Sequence, residues 1–438
     1  MTFLDIIKIN HWLNARKLTM NFFKDKNKRL YKKISKNKNF KATHSEIKFL
    51  LNNLNLDEND IILKKTLPEF IIHSKKKISS TKRPIIRDGI HFYNYYSLPS
   101  PKGFKAPVIL DILCPYNKLP KLNNGHLEQA ITVNLGPGNI YGRWGENIKK
   151  KENFSIIKFN NGINPWIVGD TYLEPTYLPH TYSLVDTTPS RILSYTAKSQ
   201  LQKFVDSSNL WPKDSYKNMI KLTNKYSQKI TFIKSFLDSR GFDEDYISKK
   251  LMISKKKIEN FFSSKKIISE NKIILKSLCK IINVEPSIFY DRKFNEDRVG
   301  KIYKSFKDCF KSIRKFKSYL VSSMSASEKY PDLFGIFMKV TKKRIVKDLE
   351  YYASTHYLAT SGKMFFYIKN KKIKFNSGDS IWIPPFIKHG FSGNGSIIKI
   401  SNGECMDYRD IFEINNLFDH KKILNRIYKD KINWGYDD

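Results

Sequence analysis

Cysteine is scarce in this chain: four residues, Cys114, Cys279, Cys309 and Cys405, are spread through 438 positions and never fall in a CxxC spacing. That scarcity excludes a disulfide framework and a thiolate zinc site, and it fits a reducing compartment. Long apolar runs are also missing, and the opening stretch mixes Asp5, Lys8, Arg16 and Lys17 among its apolar residues, unlike a membrane span or an export signal. A soluble, cytoplasmic protein is therefore expected. Acidic residues are in short supply as well, 41 Asp and Glu against 79 Lys and Arg, which leaves a net charge of +38. Such a field favours anionic partners, from nucleic acid to a small anion. Its distribution argues against nucleic acid, because the lysines are scattered along the chain and dense only in runs such as Lys75-Lys76-Lys77 and Lys255-Lys256-Lys257, the pattern of a solvated surface. What is present is 40% hydrophobic and 14% aromatic residues, enough to fill more than one core in a chain of this length.

The order of patterns repeats. Leu4, Ile7, Ile9 and Leu13 begin a helical periodicity that resumes at Ile47 to Leu51, and a second helical block carries Ile274, Leu278, Ile281 and Ile282. Each block is followed by short alternating segments with Gly and Pro at the turns, the pattern of strands. The expected units are a helical module at 1–78, a β unit at 79–205, a second helical module at 206–300, a second β unit at 301–408 and a helical tail at 409–438. In the second helical module, Asp245-Tyr246-Ile247 and Ile253-Ser254-Lys255-Lys256 are placed like the first helix and turn of a helix-turn-helix. A ligand-sensing transcriptional regulator is therefore an alternative. The candidate recognition helix, Lys255 to Phe262, offers mainly Lys, where a reader of base edges uses Arg, Asn or Gln, so nucleic acid is not the expected partner.

The first β unit carries the chemistry. His126 follows Asn123-Asn124-Gly125 and leads into the alternating Ala130 to Leu135, and the stretch from Gly169-Asp170 to Pro179-His180 holds Glu174, separated from its histidine by five residues. Two imidazoles and a carboxylate are the ligand set of a mononuclear non-haem iron(II) site, which leaves neighbouring coordination positions open. The second stretch resembles half of a cupin motif, and with it the fold class is α+β: a tandem repeat of a helix-turn-helix-like module followed by a cupin β-barrel. Gly378 to His389 repeats the spacing and the Gly-Asp start, but Ile383 stands where Glu174 would be. His356 is matched here to His126, and the second barrel is expected to be metal-free and structural.

Polar residues near the motif suit an anion. Arg87 and Tyr95 lie eight residues apart, a parity that puts both on one strand face, and a guanidinium with a phenol fits a cluster of anionic oxygens. Asn123 and Ser194 add neutral donors. Each has an ordinary alternative: Arg87 in an ion pair, Tyr95 in the core, Asn123 in a turn with Gly125, Ser194 facing water.

His11-Trp12-Leu13-Asn14-Ala15-Arg16-Lys17, the stretch from Asn123 to Gly138 and the Glu174-to-His180 spacing resemble the hydroxyethylphosphonate dioxygenase and methylphosphonate synthase family. The resemblance implies iron(II) on His126, Glu174 and His180. It implies phosphonate oxygens gripped by Arg87, Tyr95, Asn123 and Ser194, and Lys17 reaching the site as a catalytic and binding residue. In the synthases the carboxylate is replaced and a Gln four residues after the first histidine serves instead. Here that position is Ala130 and Glu174 is present, so the resemblance points to the dioxygenase, which takes 2-hydroxyethylphosphonate and O2 to hydroxymethylphosphonate and formate. Gln129 is one residue out, and on a strand one residue turns a side chain to the opposite face. A homo-oligomer is compatible with the family but is not read from the chain.

Overall fold

The computed structural model describes every residue except 1, 20, 64–65, 88, 119–120, 148–153, 161–167, 198, 200, 227–228, 264–268, 290–293, 342–344 and 433–438. Helix Ile6–Ala15 starts where Asp5 caps it and buries Ile6, Ile9 and Leu13, the three- and four-residue spacing of one helix face. Helix His44–Leu54 opens with a capping box between Thr43 and Glu46 and buries Ile47, Leu50 and Leu54 against the same core. The second helical module packs helices Glu244–Leu251, Lys255–Ser263 and Ser269–Ile282 around Ile247, Ile258, Phe261 and Leu278. Met252, in the left-handed region at φ 53°, makes the turn between the first two.

The first barrel has a seven-stranded sheet in the order Ile302–Lys304, Thr171–Glu174, Ala130–Pro137, Ser190–Thr196, Val108–Ile112, Ile90–Ser97, Arg83–Arg87, and a three-stranded sheet His180–Leu184, Ile140–Trp144, Phe154–Ile157. Their facing sides enclose Phe92, Tyr93, Leu110, Ile140, Trp144 and Tyr172. The second barrel repeats the plan around the long strands Thr355–Ile368 and His389–Asn402, which pair along most of their length. The outer faces of the two barrels meet in a shared core that includes Ile131, Val133, Leu193, Leu333, Phe337 and Ile398.

The halves exchange strands. Ile302–Lys304, from the start of the second half, pairs with Thr171–Glu174 of the first barrel, while Ile71–His73, from the first half, pairs with Ser380–Ile383 of the second. The aspartates of the two Gly-Asp pairs latch both exchanges: Asp170 Oδ1 accepts from the Phe306 N–H at 2.9 Å, and Asp379 Oδ1 accepts from the Lys75 N–H at 2.9 Å. The strand just before residue 78 and the strand just after residue 300 are thus each held in the opposite barrel. Among the described residues no helix is long and apolar enough to cross a membrane.

Candidate metal centre

His126, Glu174 and His180 each offer a ligand atom, and the three atoms lie within 4.8 Å of one another. Glu174 ends the strand Thr171–Glu174 and His180 begins the strand His180–Leu184, so the turn between them folds back to bring carboxylate and imidazole together. Gly125 makes room for this turn: at φ +72° it sits so close to Tyr177 that a Cβ would lie 2.6 Å from the Tyr177 carbonyl carbon. The Tyr177 N–H in turn donates to the His126 carbonyl at 2.7 Å.

Hydrogen bonds orient each ligand. His126 Nδ1 faces the Glu128 carbonyl and His180 Nδ1 faces the Leu178 carbonyl at 2.9 Å. Protons on those nitrogens leave both Nε2 lone pairs for a metal, the usual outer support of ligating histidines. Glu174 is buried, and its Oε1 accepts from the Trp144 indole N–H and the Tyr182 hydroxyl, both at 2.7 Å. Its Oε2 is turned toward His180 Nε2 at 3.9 Å. Burial holds the Tyr182 and Tyr172 hydroxyls well above the ordinary phenol pKa, so both remain protonated donors; Tyr172 donates to Tyr182 at 2.8 Å. A neutral N2 and anionic O donor set of this kind fits a divalent ion of intermediate softness, iron(II) among them.

The centre opens into a cavity of about 270 Å³ whose walls include Arg87, Tyr95, Asn123 and Ser194 beside the three ligands. The structure thus brings together every anion-binding candidate except Lys17. Asn123 is fixed in orientation, its Oδ1 accepting from the Gly125 and His180 N–H groups at 2.9 Å while its Nδ2 points at His180 Nε2 at 2.9 Å. Ser194 accepts from Thr132 Oγ1 at 3.1 Å, which leaves its own hydroxyl proton available to a group in the cavity that it lines. Glu128 also lines the wall, and Lys105 pairs with it. Lys17 lies elsewhere, exposed in the left-handed turn after Ile6–Ala15 at φ 56°, and is not part of this wall.

Ala130 and Glu174 are direct cross-strand partners, so both side chains rise on the same face. A longer amide at 130 would reach the space that the Glu174 carboxylate fills. Gln129 points away, buried and donating to Thr176 Oγ1 at 3.0 Å, as the strand parity requires.

The second barrel corrects one expectation. Its register pairs Ile383 with Thr355, as Glu174 pairs with Ala130. Counting back four residues, as from Ala130 to His126, gives Tyr351 as the counterpart of His126, not His356. The backbone agrees: the Phe386 N–H donates to the Tyr351 carbonyl at 2.8 Å as Tyr177 does to His126. His356 instead packs edge-on against Tyr195 of the first barrel, ring centroids 4.8 Å apart. Spacing along the chain does not reveal which residues pair across strands, and the register separates His356 from the ligand position. His389 is satisfied by the Tyr357 hydroxyl and the Ile387 carbonyl at 2.7 Å, and Lys399, the register counterpart of Ser194, lays its ammonium 3.1 Å from the centre of the Tyr351 ring. Among the described residues the only cluster with metal-ligand geometry is the one in the first barrel.

A family model described as the 2-hydroxyethylphosphonate dioxygenase cupin-like domain matches residues 79–197. Over 373 residues, 84% of each chain, the sequence is 35% identical to 2-hydroxyethylphosphonate dioxygenase of Streptomyces viridochromogenes. It is 24% identical over 358 residues to methylphosphonate synthase of Nitrosopumilus maritimus, covering 76% of this chain and 73% of that one. Among solved structures, PhpD with cadmium, complexed with hydroethylphosphonate (HEP), superposes with a TM-score of 0.83 at 32% identity, over 97% of this chain and 99% of that chain.

Proposed function

The chain belongs to the 2-hydroxyethylphosphonate dioxygenase family, and from that membership we propose that it cleaves the carbon–carbon bond of 2-hydroxyethylphosphonate with O2 to give hydroxymethylphosphonate and formate. The observation that carries this reading is the convergence of His126, Glu174 and His180 at one end of a cavity whose other walls present Arg87, Tyr95, Asn123 and Ser194. Iron(II), when bound by the two imidazoles and the carboxylate, supplies open coordination positions and the redox chemistry that O2 requires.

The protein's own groups position the substrate. Arg87 and the Tyr95 hydroxyl, a proton donor whose pKa burial raises, bind the anionic phosphonate head from one wall, and Ser194 donates from the neighbouring strand. Asn123 has a double task. Its amide now rests on the His180 lone pair; once that lone pair is engaged by a metal, the same fixed N–H group is free for a phosphonate oxygen. Held by several donors of set orientation, the substrate presents its C2 hydrogen in a single pose, an orienting effect worth several kcal/mol, up to roughly 7–11 in the best cases. Lys17 takes part only where the turn that carries it closes over this cavity.

The direct pairing of Ala130 with Glu174 favours the dioxygenase over methylphosphonate synthase, because a carboxylate already fills the ligand position. The regulator reading is not favoured: at the head of the candidate recognition helix, Lys255 is tied to Asp245 at 2.7 Å. The deciding experiment is phosphorus NMR of anaerobically iron-loaded protein mixed with 2-hydroxyethylphosphonate and then exposed to air. Hydroxymethylphosphonate with formate is expected; methylphosphonate with carbon dioxide would make it a synthase, and an unchanged substrate signal would overturn the proposal.

A further inference from the structure

Glu174 turns Oε2 toward His180 while Oε1 is occupied by Trp144 and Tyr182. Trp144 is in turn held by a residue from the far half of the chain. Lys301, immediately ahead of the exchanged strand Ile302–Lys304, is only 4% exposed, and its Nζ lies 4.3 Å from the centre of the Trp144 ring. A closed loop presents it. Asp297 Oδ1 accepts from the Val299 and Lys301 N–H groups, Asp297 Oδ2 stands 3.4 Å from the ammonium, and the Asp297 N–H donates to the Lys301 carbonyl. Gly300 rests against Pro175, the residue after Glu174, so that a Cβ there would meet the Pro175 ring at 3.3 Å.

Burying an ammonium is costly. Here the aromatic face and Asp297 offset that cost. A cation on one face of an indole draws ring density toward itself and leaves the N–H more positive. That N–H donates to a carboxylate, so the charge-assisted bond strengthens. We propose that Lys301 is a positioning residue for the metal centre: through the Trp144 indole it tightens the grip on Glu174 Oε1, fixing the direction and the electron donation of Oε2. The second half of the chain thereby acts on the chemistry of the first. The inference rests on reading Glu174 as a metal ligand, and its test separates the two.

The experiment compares wild type with Lys301→Met and Lys301→Arg. The first readout is the indole N–H resonance of Trp144 in metal-free, ¹⁵N-tryptophan-labelled protein, identified by its loss in Trp144→Phe. The second is kcat and KM for 2-hydroxyethylphosphonate after iron loading. Lys301→Met should move the resonance upfield and lower kcat on the order of tenfold, the scale of losing an outer support of a ligand, with KM unchanged; Lys301→Arg should preserve both. A resonance that does not move in Lys301→Met overturns the relay even if the wild type proves inactive on this substrate. A resonance that moves while kcat stays at the wild-type value overturns the link to chemistry. Should Lys301→Met fail to fold, Lys301→Gln read against Lys301→Arg decides by the same two quantities.

Discussion

Acidification should weaken the junction between the barrels and the second barrel before it touches the rest of the fold. His356 and His389 are both about 1% exposed, and burial pushes their pKa values down to about 3 and about 4. In the unfolded chain both return to about 6.5. Between these values the unfolded chain takes up protons that the folded chain refuses, so their contribution is complete above roughly pH 6.5 and is lost as the pH falls toward the folded values. From about pH 7.5 to pH 5 each histidine gives up roughly 1.5 pH units at 1.36 kcal/mol per unit, about 2 kcal/mol apiece and about 4 together. Urea unfolding of the metal-free protein at the two pH values measures the loss, and His356→Phe, which keeps an aromatic ring against Tyr195, isolates one share. The variant should lose about 2 kcal/mol less than wild type over the same interval. An identical loss in both proteins would refute the reasoning.

Glu174→Ala should abolish tight iron(II) binding in a calorimetric titration, whereas Arg87→Ala should leave metal affinity intact and raise KM; full turnover by either variant would count against the assigned roles. Adding Ala130→Gln to Glu174→Ala should restore part of the metal affinity, because the two positions face one another across the strands, and calorimetry on the single and double variants decides it. Lys399, whose pKa burial lowers to about 7, withholds a proton that the unfolded chain binds up to about pH 10.4, so its contribution to stability grows as the pH rises through that window. Lys399→Met should therefore raise the melting temperature at neutral pH, by a gain of up to a few kcal/mol that shrinks toward pH 10; a lower melting temperature at neutral pH would show that the ammonium stacked on Tyr351 is a net stabiliser.

Much of the site was legible because its ligands are short-range features. Glu174 and His180 are joined by one turn, and His126 announces itself by the glycine before it and the alternating strand after it. Arg87, Tyr95, Asn123 and Ser194 were readable as donor types, and the structure gathers them around one cavity. Trp144, Tyr182 and Tyr172 were missed, since nothing local distinguishes an aromatic that serves a carboxylate from one that fills a core; only the fold puts the Trp144 indole N–H on Glu174. His356 failed for a related reason, because assigning it required the register of strands far apart in sequence. Lys301 left no signal at all, being one lysine among many until a strand exchange brings it to the indole.

That exchange also governs how the protein comes into being. The strand that bears Glu174 gains its edge neighbour only when Ile302–Lys304 arrives, so during synthesis the first barrel waits with one side unpaired until most of the chain has left the ribosome. The segment Ile71–His73, made early, must stay extended and uncommitted until Ser380–Ile383 exists to receive it. Contacts between residues so far apart fold slowly and expose strand edges while they wait. An expression host that slows synthesis between the two halves should therefore yield aggregated protein with an intact sequence, and severing the gene between the barrels should give two insoluble fragments that recover only when they fold together.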